Sequence, residues 1–203
     1  MKNISDKILS RITRKGRGWV FTPKDFLDIG SRAAVDQTLS RLSRTGKIRR
    51  LRRGIYDFPK TSPLLGVLAP SPDALAKTVA RSRGISIHPS GAQAANALGI
   101  STQVPARPVY FTTGPSQKIP MPLGRGTIVL KHISSRFILN DNGATLVLMT
   151  MRYLGRTGVH ADTVRKIADT LPTSSKTALG NAVGKVPDWM AQHIKTISGA
   201  RAA

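Results

Sequence analysis

The 203 residues leave room for one medium domain or two small ones, and with 40% hydrophobic and 21% charged residues the chain can bury a core. Thirty-two Lys and Arg oppose ten acidic residues, all of them Asp, and the net charge of +22 favours a polyanionic partner. The absence of Cys excludes disulfides, thiolate metal sites and cysteine nucleophiles.

A membrane surface is the less favoured partner for so basic a chain. The longest apolar stretch, around residues 144–151, is well short of the roughly 18 residues that a spanning helix needs. The first residues lack the apolar core and small-residue cleavage site of a signal peptide. We therefore expect a cytoplasmic protein without a membrane partner.

The first thirty residues predict a helix, a short strand and a second helix. Ile4, Ile8 and Ile12 recur every fourth position opposite basic residues, which predicts an amphipathic helix over residues 4–14. Glycines then break the pattern, and residues 19–21 form a strand-like apolar run. Thr22 is a good N-cap for a second helix over residues 22–30, with Pro at its first position.

A third helix and a β-hairpin follow directly. Ser31 can cap a helix whose inward stripe is Val35, Leu39 and Leu42 and which Gly46 ends. Residues 47–58 contain two β-prone runs around a tight turn, where Gly54 can adopt a positive φ. A winged helix-turn-helix has this order of elements: helix, strand, helix, turn, helix and hairpin.

The outward residues of this third helix and of the hairpin predict a surface for duplex DNA. A helix fits the major groove, where Arg reads guanine and Gln reads adenine, so we interpret Arg32, Gln37 and Arg41 as base readers. Ser31 and Arg44 are better suited to phosphate contacts. The hairpin, or wing, adds a dense cationic group for the minor groove or phosphates: Arg49, Arg50, Arg52 and Arg53.

Charge is concentrated in the same segment. Residues 1–60 hold 16 Lys and Arg against five Asp, a net of +11, and residues 61–203 hold the same numbers over more than twice the length. A basic run is often only a solvated face, and three helices with a hairpin also occur in protein-binding domains. The order of the predicted elements and the concentration of basic residues together favour DNA binding.

A proline-rich shift from Pro59 to Pro72 predicts a linker, so we set two domains, residues 1–60 and 61–203. The second reads as α+β and mostly helical, and its predicted elements follow in chain order. They are helices over 73–83 and 90–98, strands over 107–113 and 126–133, a possible third strand over 137–139, and helices over 144–154, 161–171, 174–184 and 188–197.

No catalytic constellation emerges from the sequence. The four His residues are far apart and lack metal-ligand spacing, and the chain has no Glu to support them. Ser90 lacks the Gly-x-Ser-x-Gly elbow of a nucleophile and serves better as a helix cap. We expect no enzyme activity, no metal and no cofactor.

Several short motifs resemble one known family. They are the wing Arg-Arg-Gly-Ile-Tyr-Asp-Phe at 52–58, the helix His-Pro-Ser-Gly-Ala-Gln-Ala-Ala-Asn-Ala-Leu-Gly-Ile at 88–100, and the strand Val-Tyr-Phe-Thr-Thr-Gly at 109–114. Over residues 1–155 the chain resembles the antitoxins of type IV toxin–antitoxin systems of the abortive-infection AbiE class. The C-terminal 50 residues align with no motif of that class.

The resemblance implies a two-domain bacterial regulator. Its winged helix would bind inverted repeats in its own promoter, and its C-terminal domain would counter a nucleotidyltransferase-like toxin without a stable complex. The alternative is a stand-alone transcription factor whose second domain dimerises or senses a ligand. A nucleic-acid-processing enzyme with a winged-helix targeting module is a third, less favoured hypothesis, since the second half is poor in acids.

Overall fold

The computed structural model describes residues 3–103, 105–122 and 126–199, and these form eight α-helices and nine β-strands. The α+β fold class is confirmed. Contacts divide the chain into two compact units, Met1–Ser86 with Lys118–Ile128, and Ile87–Gln117 with Val129–Ala203. This division does not fall at residue 60, because a helix after the predicted linker packs with the N-terminal elements. Independent folding of residues 1–60 stays a prediction.

The N-terminal unit opens with a winged helix-turn-helix. Strands β1 and β2 both pair antiparallel with β3, which gives the three-stranded sheet β1-β3-β2. Its core is aromatic and aliphatic, with Phe21 and Phe26 fully buried edge to face. The elements in order are α1 (Ile4–Lys15), β1 (Val20–Phe21), a 3₁₀ helix (Pro23–Phe26), α2 (Arg32–Arg44), β2 (Arg49–Arg52) and β3 (Ile55–Asp57).

The second predicted helix is the one element of this segment that differs. In an α-helix the carbonyl of Asp25 would accept from the amide of Ile29. Here Arg11 donates to that carbonyl at 2.8 Å, and the Ile29 amide bonds to Phe26 instead, at 2.9 Å. The prediction of an α-helix over 22–30 was therefore wrong, because a side chain from α1 takes the acceptor that a longer helix needs.

The predicted linker is partly structured and leads into a helix of the same unit. Strands β4 (Thr61–Ser62) and β5 (Gly66–Val67) form a small antiparallel hairpin. Helix α3 (Pro72–Arg83) follows, and its buried Thr78 hydroxyl donates to the Val20 carbonyl at 2.9 Å. This bond attaches α3 to the edge of the wing sheet, which explains why the compact unit extends to residue 86.

The C-terminal unit contains strands and most of the helices. In its sheet, β7 pairs antiparallel with β6 and parallel with β9. Helices α5 to α8 enclose an aliphatic core that includes Leu148, Ile167 and Ile194. Residues 118–128, which hold most of β8 and the start of β9, belong to the N-terminal unit. The elements after residue 86 are β6 (Ile87–Pro89), α4 (Gly91–Ala97), β7 (Val109–Thr112), β8 (Gln117–Pro120), β9 (Thr127–His132), α5 (Asn142–Gly158), α6 (Ala161–Thr170), α7 (Thr173–Gly180) and α8 (Asp188–Ser198).

Two details of the predicted C-terminal elements are wrong. The possible strand over 137–139 is replaced by a 3₁₀ helix, Ser135–Phe137, because the Thr145 hydroxyl bonds both the amide and the carbonyl of Leu139 and leaves neither for a ladder. The helix predicted over 174–184 ends at Gly180, and a 3₁₀ turn, Val183–Lys185, follows it.

A close approach of α4 to α5 leaves no room for a side chain at Gly91. A Cβ atom added there would overlap the Tyr153 Cβ and lie 2.8 Å from the Met149 carbonyl oxygen. Since the second of these atoms is backbone, the helices would have to separate. We expect Gly91→Ala to lower the free energy of unfolding by about 1–3 kcal/mol, measured by urea denaturation.

Gly184→Ala is the matched control, because an added Cβ there meets nothing within 4 Å. It should change stability by less than about 0.5 kcal/mol. Equal denaturation midpoints for the two variants would contradict the close packing of α4 on α5.

Candidate nucleic-acid interface

Helix α2 presents a polar stripe opposite its buried face. Val35, Leu39 and Leu42 are buried, whereas Gln37, Arg41 and Arg44 are exposed at the same i, i+4, i+7 spacing two residues further on. Two residues correspond to about 200° of helix rotation, so the two stripes lie on opposite sides. The structure therefore brings these three predicted contacts onto one accessible face.

The N-terminal end of α2 contains the other two predicted helix contacts. The Ser31 hydroxyl caps the helix by accepting from the Ala34 amide at 3.4 Å, which leaves the residue exposed at the positive end of the helix. Arg32 forms an exposed ion pair with Asp36 through Nε at 2.8 Å. Exposed pairs contribute little to stability, so a phosphate or a base can replace this carboxylate at small cost.

Arg49 does not belong to the same surface as the rest of the wing. Its guanidinium makes two hydrogen bonds to Asp57, one of them from Nε at 2.9 Å, and a third to the Leu68 carbonyl at 3.0 Å. The Asp57 side chain is 1% exposed. A buried carboxylate needs this partner, and we therefore remove Arg49 from the predicted DNA contacts and regard it as structural.

The remaining wing arginines are exposed. Arg50 and Arg52 lie on β2 with half-buried Leu51 between them, and Arg53 lies in the turn. Arg52 pairs with Ile55, so the connection has two residues, Arg53 and Gly54, and Gly54 has a φ of 72°. A left-handed residue at this point closes the tight turn that the sequence predicts.

A cleft of about 280 Å³ joins the start of α2 to the wing turn. Arg32, Arg52 and Arg53 all line it. Sequence reasoning missed two further cations that line the same cleft, Lys24 and Arg83. Arg83 lies beyond the predicted domain boundary, and only the packing of α3 on the wing sheet brings it here.

Most acidic groups of this segment are already neutralised. Arg11 and Asp28 pair at 2.6 Å, and this hydrogen bond raises the pKa of Arg11 and lowers the pKa of Asp28. Four of the five Asp residues in 1–60 are held in ion pairs in this way: Asp25 with Arg81, Asp28 with Arg11, Asp36 with Arg32, and Asp57 with Arg49. None of these four pairs uses Arg50, Arg52 or Arg53.

Residues 3–103, 105–122 and 126–199 contain neither a cluster of metal ligands nor a helix that could span a membrane. Over those ranges no group of three or more His, Asp or Glu side chains is arranged to hold a metal ion. Nor does any helix there have the length and apolarity required to cross a bilayer.

The chain has an α+β fold that opens with the element order of a winged helix-turn-helix and continues into a second compact unit. Residues 7–179 match the family of unknown function DUF6088, and the chain belongs to that family. No curated protein matches the sequence. Among solved structures it is similar to the RV2827C protein from Mycobacterium tuberculosis, with 18% identity, a TM-score of 0.43, and coverage of 98% of this chain and 72% of that one.

Proposed function

We propose that the chain binds duplex DNA with α2 in the major groove and the wing turn on the adjacent backbone, and thereby represses its own promoter. The observation that supports this most is the cleft at which Arg32, Arg52 and Arg53 converge. A helix start and a wing turn separated by a cationic cleft can contact base edges and phosphates at the same time.

The roles within this interface follow from side-chain chemistry. Gln37 and Arg41 occupy the middle of the exposed stripe and have the donor and acceptor geometry to distinguish base pairs. Ser31, Arg44, Arg50, Arg52 and Arg53 would bind phosphates, together with Lys24 and Arg83. The protein would act in the cytoplasm, without an enzymatic step of its own.

The antitoxin role is a further part of the proposal and depends on the resemblance to the AbiE class. The C-terminal unit would counter a nucleotidyltransferase-like toxin without forming a stable complex. The alternative is a stand-alone regulator whose second unit dimerises or senses a ligand. It would use the same DNA interface but would have no toxin partner. Co-expression with the product of the neighbouring gene distinguishes them, because only an antitoxin restores growth.

The first experiment is a titration of the purified protein into a labelled duplex from the upstream region of its own gene. An unrelated duplex of equal length is the control, and both are measured at two salt concentrations. We expect tighter, salt-sensitive binding to its own upstream region. Equal affinity for both duplexes would reject sequence-specific regulation.

Base reading by α2 gives a separate prediction. Gln37→Ala or Arg41→Ala should relax the preference at one base pair by about 1–3 kcal/mol, because the bidentate contact to that base is lost. Arg44→Ala is the matched variant on the same helix, and it should weaken all sequences equally. The measurement is a competition assay against single-base-pair variants of the bound site. An unchanged preference in both helix variants would mean that another element reads the bases.

A further inference from the structure

The basic side of α1 lines a groove that the proposed interface does not include. Lys7, Arg11 and Arg14 recur at i, i+4 and i+7, which places them on one face of the helix. Lys7 and Arg14 are exposed, and Arg11 is half-buried. No acidic side chain among the described residues lines the groove. It has a volume of about 240 Å³, and we call it the α1 groove; its lining is Lys7, Ser10, Arg11, Arg14 and Ile29.

One carboxylate lies beside the α1 groove and is already neutralised. Asp28 accepts two hydrogen bonds from the Arg11 guanidinium, which also donates to the Asp25 carbonyl at 2.8 Å. These bonds hold Arg11 against the turn that precedes α2. Within the described residues neither Lys7 nor Arg14 forms an ion pair. Two positive charges in the groove therefore have no acidic partner.

The α1 groove adjoins the start of α2. Ile29, which lines it, precedes the α2 cap Ser31 by two residues, and two residues span at most about 7 Å. A Cβ atom added to Gly30 would lie 3.1 Å from the Ile4 Cδ1, so α1 itself packs against this junction. An anion in the groove is therefore close to the first turn of the helix that the proposed function places in the major groove.

The α1 groove and the cleft at the wing turn are separate sites at opposite ends of one segment. The cleft is lined by Thr22, Pro23 and Lys24, where that segment begins, and the groove by Ile29, where it ends. At a rise of about 2 Å per residue for a 3₁₀ turn, positions 24 and 29 are roughly 10 Å apart. The major groove of B-DNA is about 12 Å wide. The two sites thus have the spacing of the two backbones that border a major groove.

The lining of the α1 groove suits a phosphate and not a base. Lys and Arg bind phosphate oxygens, and a Ser hydroxyl can donate a further hydrogen bond. No described aromatic side chain lines the groove to stack on a base, and Ser10 is its only side-chain acceptor. A site of this kind contributes affinity and register without reading sequence. With α2 in the major groove, the nearest anion is a backbone phosphate of the same duplex.

We propose that the α1 groove binds a backbone phosphate on the strand opposite to the one that the wing turn contacts. The inference rests on the proposed function. The two contacts hold α2 in the major groove from both of its borders, whereas the wing alone holds it from one. Lys7 and Arg14 are therefore positioning residues, and the exposed side chains of α2 read the bases.

Ethylation interference on a duplex selected from a random-sequence pool tests this assignment with the full chain. Ethylation neutralises one phosphate at a time, so the experiment assigns each backbone contact to a strand. For the parent protein we expect interference on both strands. Lys7→Ala combined with Arg14→Ala should remove it from one strand, and Arg52→Ala combined with Arg53→Ala should remove it from the other.

Fluorescence anisotropy gives the size of the effect. The Lys7→Ala, Arg14→Ala variant should lose about tenfold to a hundredfold in affinity at low salt, and its salt slope should shrink by about 1.8, because two charged contacts are lost. Its preference among single-base-pair variants of the site should not change. Both side chains are exposed, so the variant should retain the parent Tm.

Lys15→Ala is the matched control on the same helix, because Lys15 is exposed and does not line the groove. It should leave the affinity and the interference pattern close to those of the parent protein. Unchanged interference in the Lys7→Ala, Arg14→Ala variant would overturn the inference, even if that variant had lost binding of inorganic phosphate. So would loss of interference on the same strand as in the wing variant. Absence of any DNA binding by the parent protein would instead reject the proposed function itself, so the two failures are distinguishable.

Discussion

Replacing Arg52 and Arg53 together by Ala is expected to weaken binding of the specific duplex roughly a hundredfold at low salt. A hydrogen bond to a charged group contributes about 1.5 kcal/mol or more, and both guanidinium groups line the cationic cleft beside α2. With about six to eight phosphate contacts, log affinity should fall against log salt with a slope of roughly −5 to −7. Loss of two contacts should reduce the size of that slope by about 1.8.

Lys185→Ala combined with Lys195→Ala removes the same charge from exposed positions of the other unit and serves as the control. It should leave both the affinity and the slope close to those of the parent protein. Fluorescence anisotropy at four salt concentrations measures both quantities. If the wing variant matched this control, the wing would not contact the phosphate backbone.

Replacing Asp57 by Ala is expected to lower the free energy of unfolding by about 3–5 kcal/mol. The change leaves Arg49, whose side chain is 18% exposed, without its carboxylate partner in the wing sheet. For a chain of this length, a loss of that size lowers Tm by roughly 6–20 °C. Calorimetry or thermal circular dichroism provides the measurement.

The same pair tests whether Arg49 is structural. Arg49→Met should be destabilising to a similar degree, whereas Arg49→Met combined with Asp57→Leu should recover much of the loss, because neither charge is then left unpaired. A phosphate contact at Arg49 would give the opposite pattern. Arg49→Met would then reduce DNA affinity and the salt slope while leaving Tm unchanged.

Local sequence patterns were sufficient to predict a helix where its formation depends mainly on its own residues. The four-residue repeat of Ile4, Ile8 and Ile12 and the capping residue Ser31 predicted α1 and α2, and both are present. Caps and apolar stripes act within a few residues of one another, so they can be recognised in a sequence without the partner against which they pack.

Predictions failed where a side chain of another element competes for a backbone group. Arg11 accounts for the 3₁₀ turn after Thr22, and Thr145 accounts for the missing strand at Leu139. Both are local patterns overruled by a hydrogen bond from another element. Apolar periodicity and turn residues, from which the elements were predicted, do not show which side chain will bond which backbone group.

The candidate interface likewise has features that the sequence predicts and features that depend on tertiary packing. By itself the sequence determined the winged-helix order, the exposed stripe of α2 and the concentration of Arg in the wing, because helical and strand periodicity decide which side chains point outward. Only the tertiary structure separated Arg49, held by buried Asp57, from its exposed neighbours, and brought Lys24 and Arg83 to the cleft. The physical reason is that ion pairs and clefts join residues far apart in the chain, at distances that packing alone sets.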